Sequence, residues 1–154
     1  MAVKVLELHH HGICMHPSLA QTMRGFYEQV LGLRPDPGRP NIPGIPGYWM
    51  DLPDDTQIHL MGKEGPSPYA QGPDKDPVFT HVALGVADVV EAEEELRRLG
   101  TEYWRTESIV GPNLNQLFFY DPAGNMIELH QVGTCRCKKS ERKDPVGQPA
   151  AMAG

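Results

Sequence analysis

The sequence predicts an α+β fold built from two βαβββ modules in tandem, and three observations carry that expectation. First, Phe118 to Gln131 (FFYDPAGNMIELHQ) repeats Trp49 to Gly62 (WMDLPDDTQIHLMG) without a gap. Trp49 falls on Phe118, Pro53 on Pro122, Ile58 on Ile127, His59 on Glu128 and Leu60 on Leu129. Second, the strand-like LELHHHGICM aligns with FTHVALGV, setting His10 on His81, Gly12 on Ala83, Ile13 on Leu84 and Met15 on Val86. Third, each of these strands is followed by an amphipathic helical segment that stops at a glycine. The expected organisation is a first module over 1–62, a linker over 63–78, a second module over 79–132 and a disordered tail over 133–154.

In chain order, Leu6 to Met15 reads as a strand whose inward face carries His10 and Gly12 and whose outer face carries His11, Ile13 and Met15. His9 and His11 are expected at polar or half-buried positions. Ser18 to Leu31 predicts a helix with Leu19, Met23, Phe26, Tyr27, Val30 and Leu31 as one buried stripe, Ser18 and Gln21 as a capping box and Gly32 as the stop. The prolines of Leu33 to Tyr48 exclude a central strand and favour an edge strand or a loop over the site. Trp49 to Gly62 then reads as strand, tight turn, strand. In the second half, Asp88 to Leu99 repeats the helix, with Asp88 and Glu91 as its capping box and Gly100 as its stop. Tyr103 to Ser108 follows as a strand, Gly111 to Asn115 as a loop, and the final hairpin closes the module.

Composition narrows the function. The net charge of −6 argues against non-specific nucleic-acid binding, although Arg136, Lys138, Lys139, Arg142 and Lys143 cluster near the end. No membrane-length apolar run is present, and Met1 leads through Ala2, Val3 and Lys4 into a strand, which predicts a cytoplasmic protein. The three cysteines, Cys14, Cys135 and Cys137, read as free thiols, since Cys135-x-Cys137 lacks the second pair that a structural zinc site needs.

The chemistry follows from four positions. His10 precedes His59 by 49 residues, and His81 precedes Glu128 by 47, so the repeat sets them at equivalent places. If the halves pack about a pseudo-two-fold axis, the four side chains converge. Three neutral imidazoles and one carboxylate suit a divalent transition metal better than calcium or magnesium. Residues alternating with or equivalent to these in the repeat, Trp49, Gln116, Phe118 and Tyr120, are the expected walls of a substrate cleft. Trp104, Arg105 and Asn115 are further candidates for holding a substrate's polar tail, and His130 reads as an edge polar residue.

Through HHGI with FYEQVLGL, then QIHL, FTHVALGV and FFYDPAGNMIEL, the chain resembles the vicinal oxygen chelate superfamily over Leu6 to Gln131. That superfamily includes glyoxalase I, bleomycin-binding proteins, thiol-transferring fosfomycin-resistance proteins and type I extradiol dioxygenases. The resemblance implies paired βαβββ modules forming a metal-lined cleft. It places the ligands at His10, His59, His81 and Glu128, with the metal drawn from Zn, Ni, Co, Mn or Fe. It also implies a homodimer whose modules either stay within one chain or share each cleft across chains.

Within the superfamily, the glyoxalase I branch commonly has Glu at the place of His59, and its glutathione-binding Arg and Asn are replaced here by Cys14 and Lys63. Extradiol enzymes have Tyr where this chain has Phe118. Bleomycin-binding relatives generally lack the ligands. The expected activity is therefore a metal-dependent, glyoxalase-like lyase or isomerase acting on a small oxygen-chelating substrate through an enediolate-type intermediate. Glu128 serves there as ligand and proton-transferring base, and His59 as a fourth ligand or a hydrogen-bonding partner of a metal-bound water. An Fe(II)-dependent extradiol-type dioxygenase using His10, His81 and Glu128 is the alternative enzyme, and a small-molecule binding protein is the non-catalytic one.

Overall fold

A computed structural model describes residues 2–134. The expected tail beyond Thr134, with Cys135, Cys137 and the basic cluster, lies outside the described residues. The first module comprises β1 (Val5–Met15), α1 (Ala20–Gln29), β2 (Arg34–Pro35), β3 (Gly47–Asp51) and β4 (Gln57–Gly62). The second comprises β5 (His81–Val86), α2 (Val89–Arg98), β6 (Trp104–Glu107), β7 (Asn115–Tyr120) and β8 (Met126–Gln131). All eight strands form one mixed sheet in the order β2-β3-β4-β1-β5-β8-β7-β6. The order of the first module is thus mirrored in the second. β1 and β5 meet antiparallel at the centre, and each is flanked by the parallel last strand of its own module. This is the α+β architecture of paired βαβββ modules, assembled within one chain.

Strand alternation separates two faces. Leu60, Leu117 and Leu129 face the helices, where Val86, Val89, Ala92 and Leu96 complete one core and Met15 and Met50 another. The intervening residues, His59, Gln116, Phe118 and Glu128, face the other side. An aspartate holds the turn of each hairpin. The Asp54 carboxylate accepts the Thr56 amide, and that of Asp121 accepts the amides of Ala123 and Asn125.

The helices depart from expectation at their ends and on their faces. Asp88 caps α2 by accepting from the amides of Val90 and Glu91, and Gly32 and Gly100 take the left-handed conformation that stops each helix. The box expected at Ser18 and Gln21 is not formed. Chain entry is a 3-10 turn, Pro17–Leu19, capped by the His16 ring, and the Gln21 amide donates instead to the Tyr48 hydroxyl. Only part of the α1 stripe is covered. Met23 and Tyr27 pack on Met15, Met50 and Leu60, whereas Leu19, Phe26, Val30 and Leu31 are exposed. The helix lies chiefly over β3 and β4, with a smaller contact to the two-residue β2, a layer too narrow to cover both flanks of its stripe. No helix among the described residues is long and apolar enough to cross a membrane.

Candidate metal centre

The centre is assembled by strand register. Across β1 and β5, His10 pairs with Ala83 and Gly12 with His81. Ala83 in turn pairs with Glu128, and Gly12 with His59. Two rows result, His10–Ala83–Glu128 and His59–Gly12–His81, all on the face away from the helices. The smallest residues separate the functional ones, so long side chains close over short ones. At Gly12 the space is fully used: an added Cβ would lie 2.6 Å from His81 Cε1 and 2.8 Å from Met61 Cε.

Three of the four predicted groups converge. His81 Nε2 lies 3.1 Å from Glu128 Oε1, His10 Nε2 lies 3.4 Å from the same oxygen, and the two nitrogens are 3.4 Å apart. Three donor atoms about 2.1 Å from a common ion, at angles between right-angled and tetrahedral, stand roughly 3.0–3.4 Å apart, so the triangle fits a transition metal.

The partners of these groups orient them for that role. His81 Nδ1 donates to the Phe79 carbonyl at 2.6 Å, which leaves the lone pair on Nε2. His10 Nδ1 meets His9 Nδ1 at 2.8 Å. The second oxygen of Glu128 accepts from Gln116 Nε2 at 3.0 Å and His130 Nδ1 at 3.2 Å. Gln116 is itself oriented by the Thr106 hydroxyl, which donates to its Oε1. Hydrogen bonds of this kind fix ligand tautomers and directions in metal sites.

His59 stands apart from the triangle. Its ring is stacked between Trp49, at 4.4 Å between centroids and 10° between planes, and His10, at 3.8 Å and 13°. Imidazole lone pairs lie in the ring plane, so those of two face-to-face rings run side by side and do not meet at one ion. Gln57 donates through Nε2 to Asp36 and Asp51, each at 2.8 Å, which leaves its Oε1 to accept from His59 Nε2 at 2.8 Å. His59 therefore carries its proton on Nε2 and its lone pair on Nδ1.

Electrostatics matches a neutral-imidazole, ionised-carboxylate set. Burial, only partly opposed by Glu128, lowers the His10 pKa to about 4. Burial, followed by His10 and His9, holds His59 well below its ordinary value. Burial alone would raise the Glu128 carboxyl. The His10 ring first of all, with the polar contacts of His130 and His81, outweighs it and holds the group well below the usual carboxylate range. Imidazoles that stay neutral keep their lone pairs available to a metal.

The cavity over this cluster is small, about 60 Å³ of room for the centre of a water-sized sphere, and its walls are mainly apolar. Trp49, Gln116 and Phe118 line it, and Phe118 meets His81 edge-on. Tyr120 does not. It is exposed outside the cavity, where its hydroxyl donates to the Asp74 carbonyl. Strand twist and the end of pairing at Met126 carry Tyr120 past the rim even though it alternates with Phe118. Arg105 and Asn115 also lie off the wall, Arg105 paired with Glu93 and Glu107.

Four wall groups were not anticipated. His9 is buried in the wall, not at a polar edge, because a β-bulge between Leu8 and His10 inserts it as an extra residue and turns it to the same face as His10. His130 is buried against Glu128, a position that its spacing of two from Glu128 signalled. Arg39, with Ile42 and Ile45, reaches the cavity from the Pro-rich loop, and Ile109 and Val110 from the β6–β7 loop. No periodicity marks these loop residues.

Residues 18–129 match the model of the Glyoxalase/Bleomycin resistance protein/Dioxygenase superfamily. A protein of Arabidopsis thaliana named "Glyoxylase I 4" is 30% identical over 128 residues, 81% of this chain and 68% of that protein. Methylmalonyl-CoA epimerase from Mycobacterium tuberculosis superposes with a TM-score of 0.64 at 24% identity, over 85% of this chain and 91% of the other. A mutant of homoprotocatechuate 2,3-dioxygenase from Brevibacterium fuscum superposes with a TM-score of 0.58 at 17% identity, over 93% of this chain and 37% of the other.

Proposed function

Because the chain belongs to the Glyoxalase/Bleomycin resistance protein/Dioxygenase superfamily, we propose that it is a metal-dependent enzyme of the glyoxalase type. It would be a lyase or isomerase that moves a proton next to a carbonyl of a small, oxygen-chelating substrate. The observation that carries this reading is the triangle of His10 Nε2, His81 Nε2 and Glu128 Oε1. When bound there, a divalent Zn, Ni, Co, Mn or Fe ion supplies a Lewis acid that polarises the substrate carbonyl.

The residues divide the remaining work. Glu128 is an anchor before it is a base, since one of its oxygens faces the two histidines and the other is held by Gln116 and His130. His59 is the better placed proton acceptor, not the stronger base: its Nε2 proton is committed to Gln57, its Nδ1 lone pair is available and stacking fixes the ring, while burial disfavours its protonated form. Trp49 and Phe118 form apolar walls, and Gln116 adds a polar contact beside the carboxylate. Homodimer assembly and a cytoplasmic location belong to the same proposal.

A second reading has its own support. With His59 outside the triangle, the set is two histidines and one carboxylate, the arrangement that non-haem Fe(II) oxygenases use. Metal analysis of protein purified without chelators separates the two. Nickel, cobalt or zinc that restores isomerase or lyase turnover supports the first reading, and oxygen-sensitive iron that supports ring cleavage of a catechol supports the second. In either case His81→Ala and Glu128→Gln should lower metal affinity by about 100-fold or more with the fold retained. Unchanged metal content in both variants would overturn the assignment.

A further inference from the structure

Among the described residues, Arg39 is the only lysine or arginine in the cavity wall. A guanidinium has five N–H donors and matches planar anions. Here Nη2 donates to the Ile45 carbonyl at 2.7 Å, Nη1 makes a long 3.4 Å contact with the Pro40 carbonyl, and Nε is buried without a partner. Among the described residues no carboxylate pairs with it. Asp36, the nearest in sequence, is already taken by the Gly38 amide and the Gln57 side chain. Burial disfavours the charged form of Arg39, with only Tyr48 opposing. The loop thus holds a cation against neutral carbonyls and the buried Ile42 and Ile45, an arrangement that costs free energy until an anion arrives.

We propose that Arg39 binds a carboxylate of the substrate, so that the site takes small organic acids whose other oxygens face His10, His81 and Glu128. This deepens the proposed function and rests on it for the orientation of the substrate. A carboxylate is favoured over a phosphate because one guanidinium can satisfy a planar monoanion, whereas a dianion in apolar surroundings needs more donors than Arg39 has left. Holding Ile45 in place explains Nη2 but not the unpartnered Nε.

The test uses metal-free protein, so that the anion site is read separately from the metal. Benzoate, its uncharged isostere benzamide and phenyl phosphate are titrated by calorimetry into wild type, Arg39→Met and His81→Ala. Wild type and His81→Ala should bind benzoate at least about tenfold more tightly than benzamide, and Arg39→Met should lose that preference while binding zinc as wild type does. Equal binding of the two probes by wild type, preference for phenyl phosphate, or discrimination that survives in Arg39→Met would each overturn the proposal. Should Arg39→Met not fold, the wild-type comparison still decides. Failure of His81→Ala to lower zinc affinity would count against the metal reading alone.

Discussion

At the scale of single residues, His59 shows how a repeat can name a position without naming its role. It occupies the place of Glu128 in the repeat and lies on the same face, yet its ring is fixed by Trp49, His10 and Gln57 and stays outside the triangle of His10, His81 and Glu128. His59→Phe preserves the stack and removes Nδ1. Metal affinity should change by less than about threefold while turnover falls roughly 10²- to 10⁴-fold. A parallel loss of metal would instead make His59 a ligand. The buried imidazoles also predict acid sensitivity. Because the folded pKa of His10 is about 4 and its ordinary value is 6.5, the unfolded chain binds the extra proton between those values. Stability from this group is therefore complete above about pH 6.5 and is lost as pH falls towards 4. His59 shifts in the same direction and adds to the effect. Urea unfolding of metal-free protein should show the midpoint falling between pH 6.5 and 4.5, and a flat midpoint there would contradict the buried neutral state.

At the scale of elements, the central strand pair decides the geometry, and Gly12 is its tightest point. His81 cannot simply swing away from a methyl group there, because its Nδ1 is held by the Phe79 carbonyl. Gly12→Ala should displace the His81 ring and weaken metal binding about tenfold or more, with circular dichroism unchanged. Wild-type affinity in that variant would mean that the ring adapts freely. The same strand pair shows what sequence could reveal. Period-two alternation placed His10, Gly12 and His81 on one face, and the repeat matched β4 to β8. A bulge breaks that period by one residue, so alternation sent His9 to the wrong environment. The α1 stripe misled for a different reason. Its periodicity reports a helix correctly, but how much of the stripe is covered depends on the width of the sheet beneath it. Arg39, Ile42 and Ile45 sit in a loop with no period, and only tertiary folding brings them to the cavity.

At the scale of the whole molecule, the question is how far the likeness to "Glyoxylase I 4" carries the substrate. The positions where the glyoxalase branch has its glutathione-binding Arg and Asn hold Cys14 and Lys63. Cys14 is partly buried beside Ile42, Ile45, Trp49 and Val78, and its environment raises the thiol pKa, chiefly through burial. Lys63 is already engaged: its ammonium lies 3.6 Å from Asp76, 4.8 Å from the centre of the Phe79 ring and 2.8 Å from the Gly65 carbonyl. The Cys14 thiol is neutral and the Lys63 ammonium is already engaged, so neither offers a free charge to orient a tripeptide, and among the described residues Arg39 is the one cation of the cavity wall. A reacting carbon that is held loosely forfeits much of the rate gained from positioning, so weak binding and slow turnover should appear together. We expect the hemithioacetal of methylglyoxal and glutathione to be turned over at least about 100-fold less efficiently than a small 2-oxo or 2-hydroxy acid, after reconstitution with nickel, cobalt, zinc or manganese. Thioester formation is the readout. Efficient turnover abolished by Glu128→Gln but untouched by Arg39→Met would mean that glutathione is held by other residues, and the chain would then be a lactoylglutathione lyase.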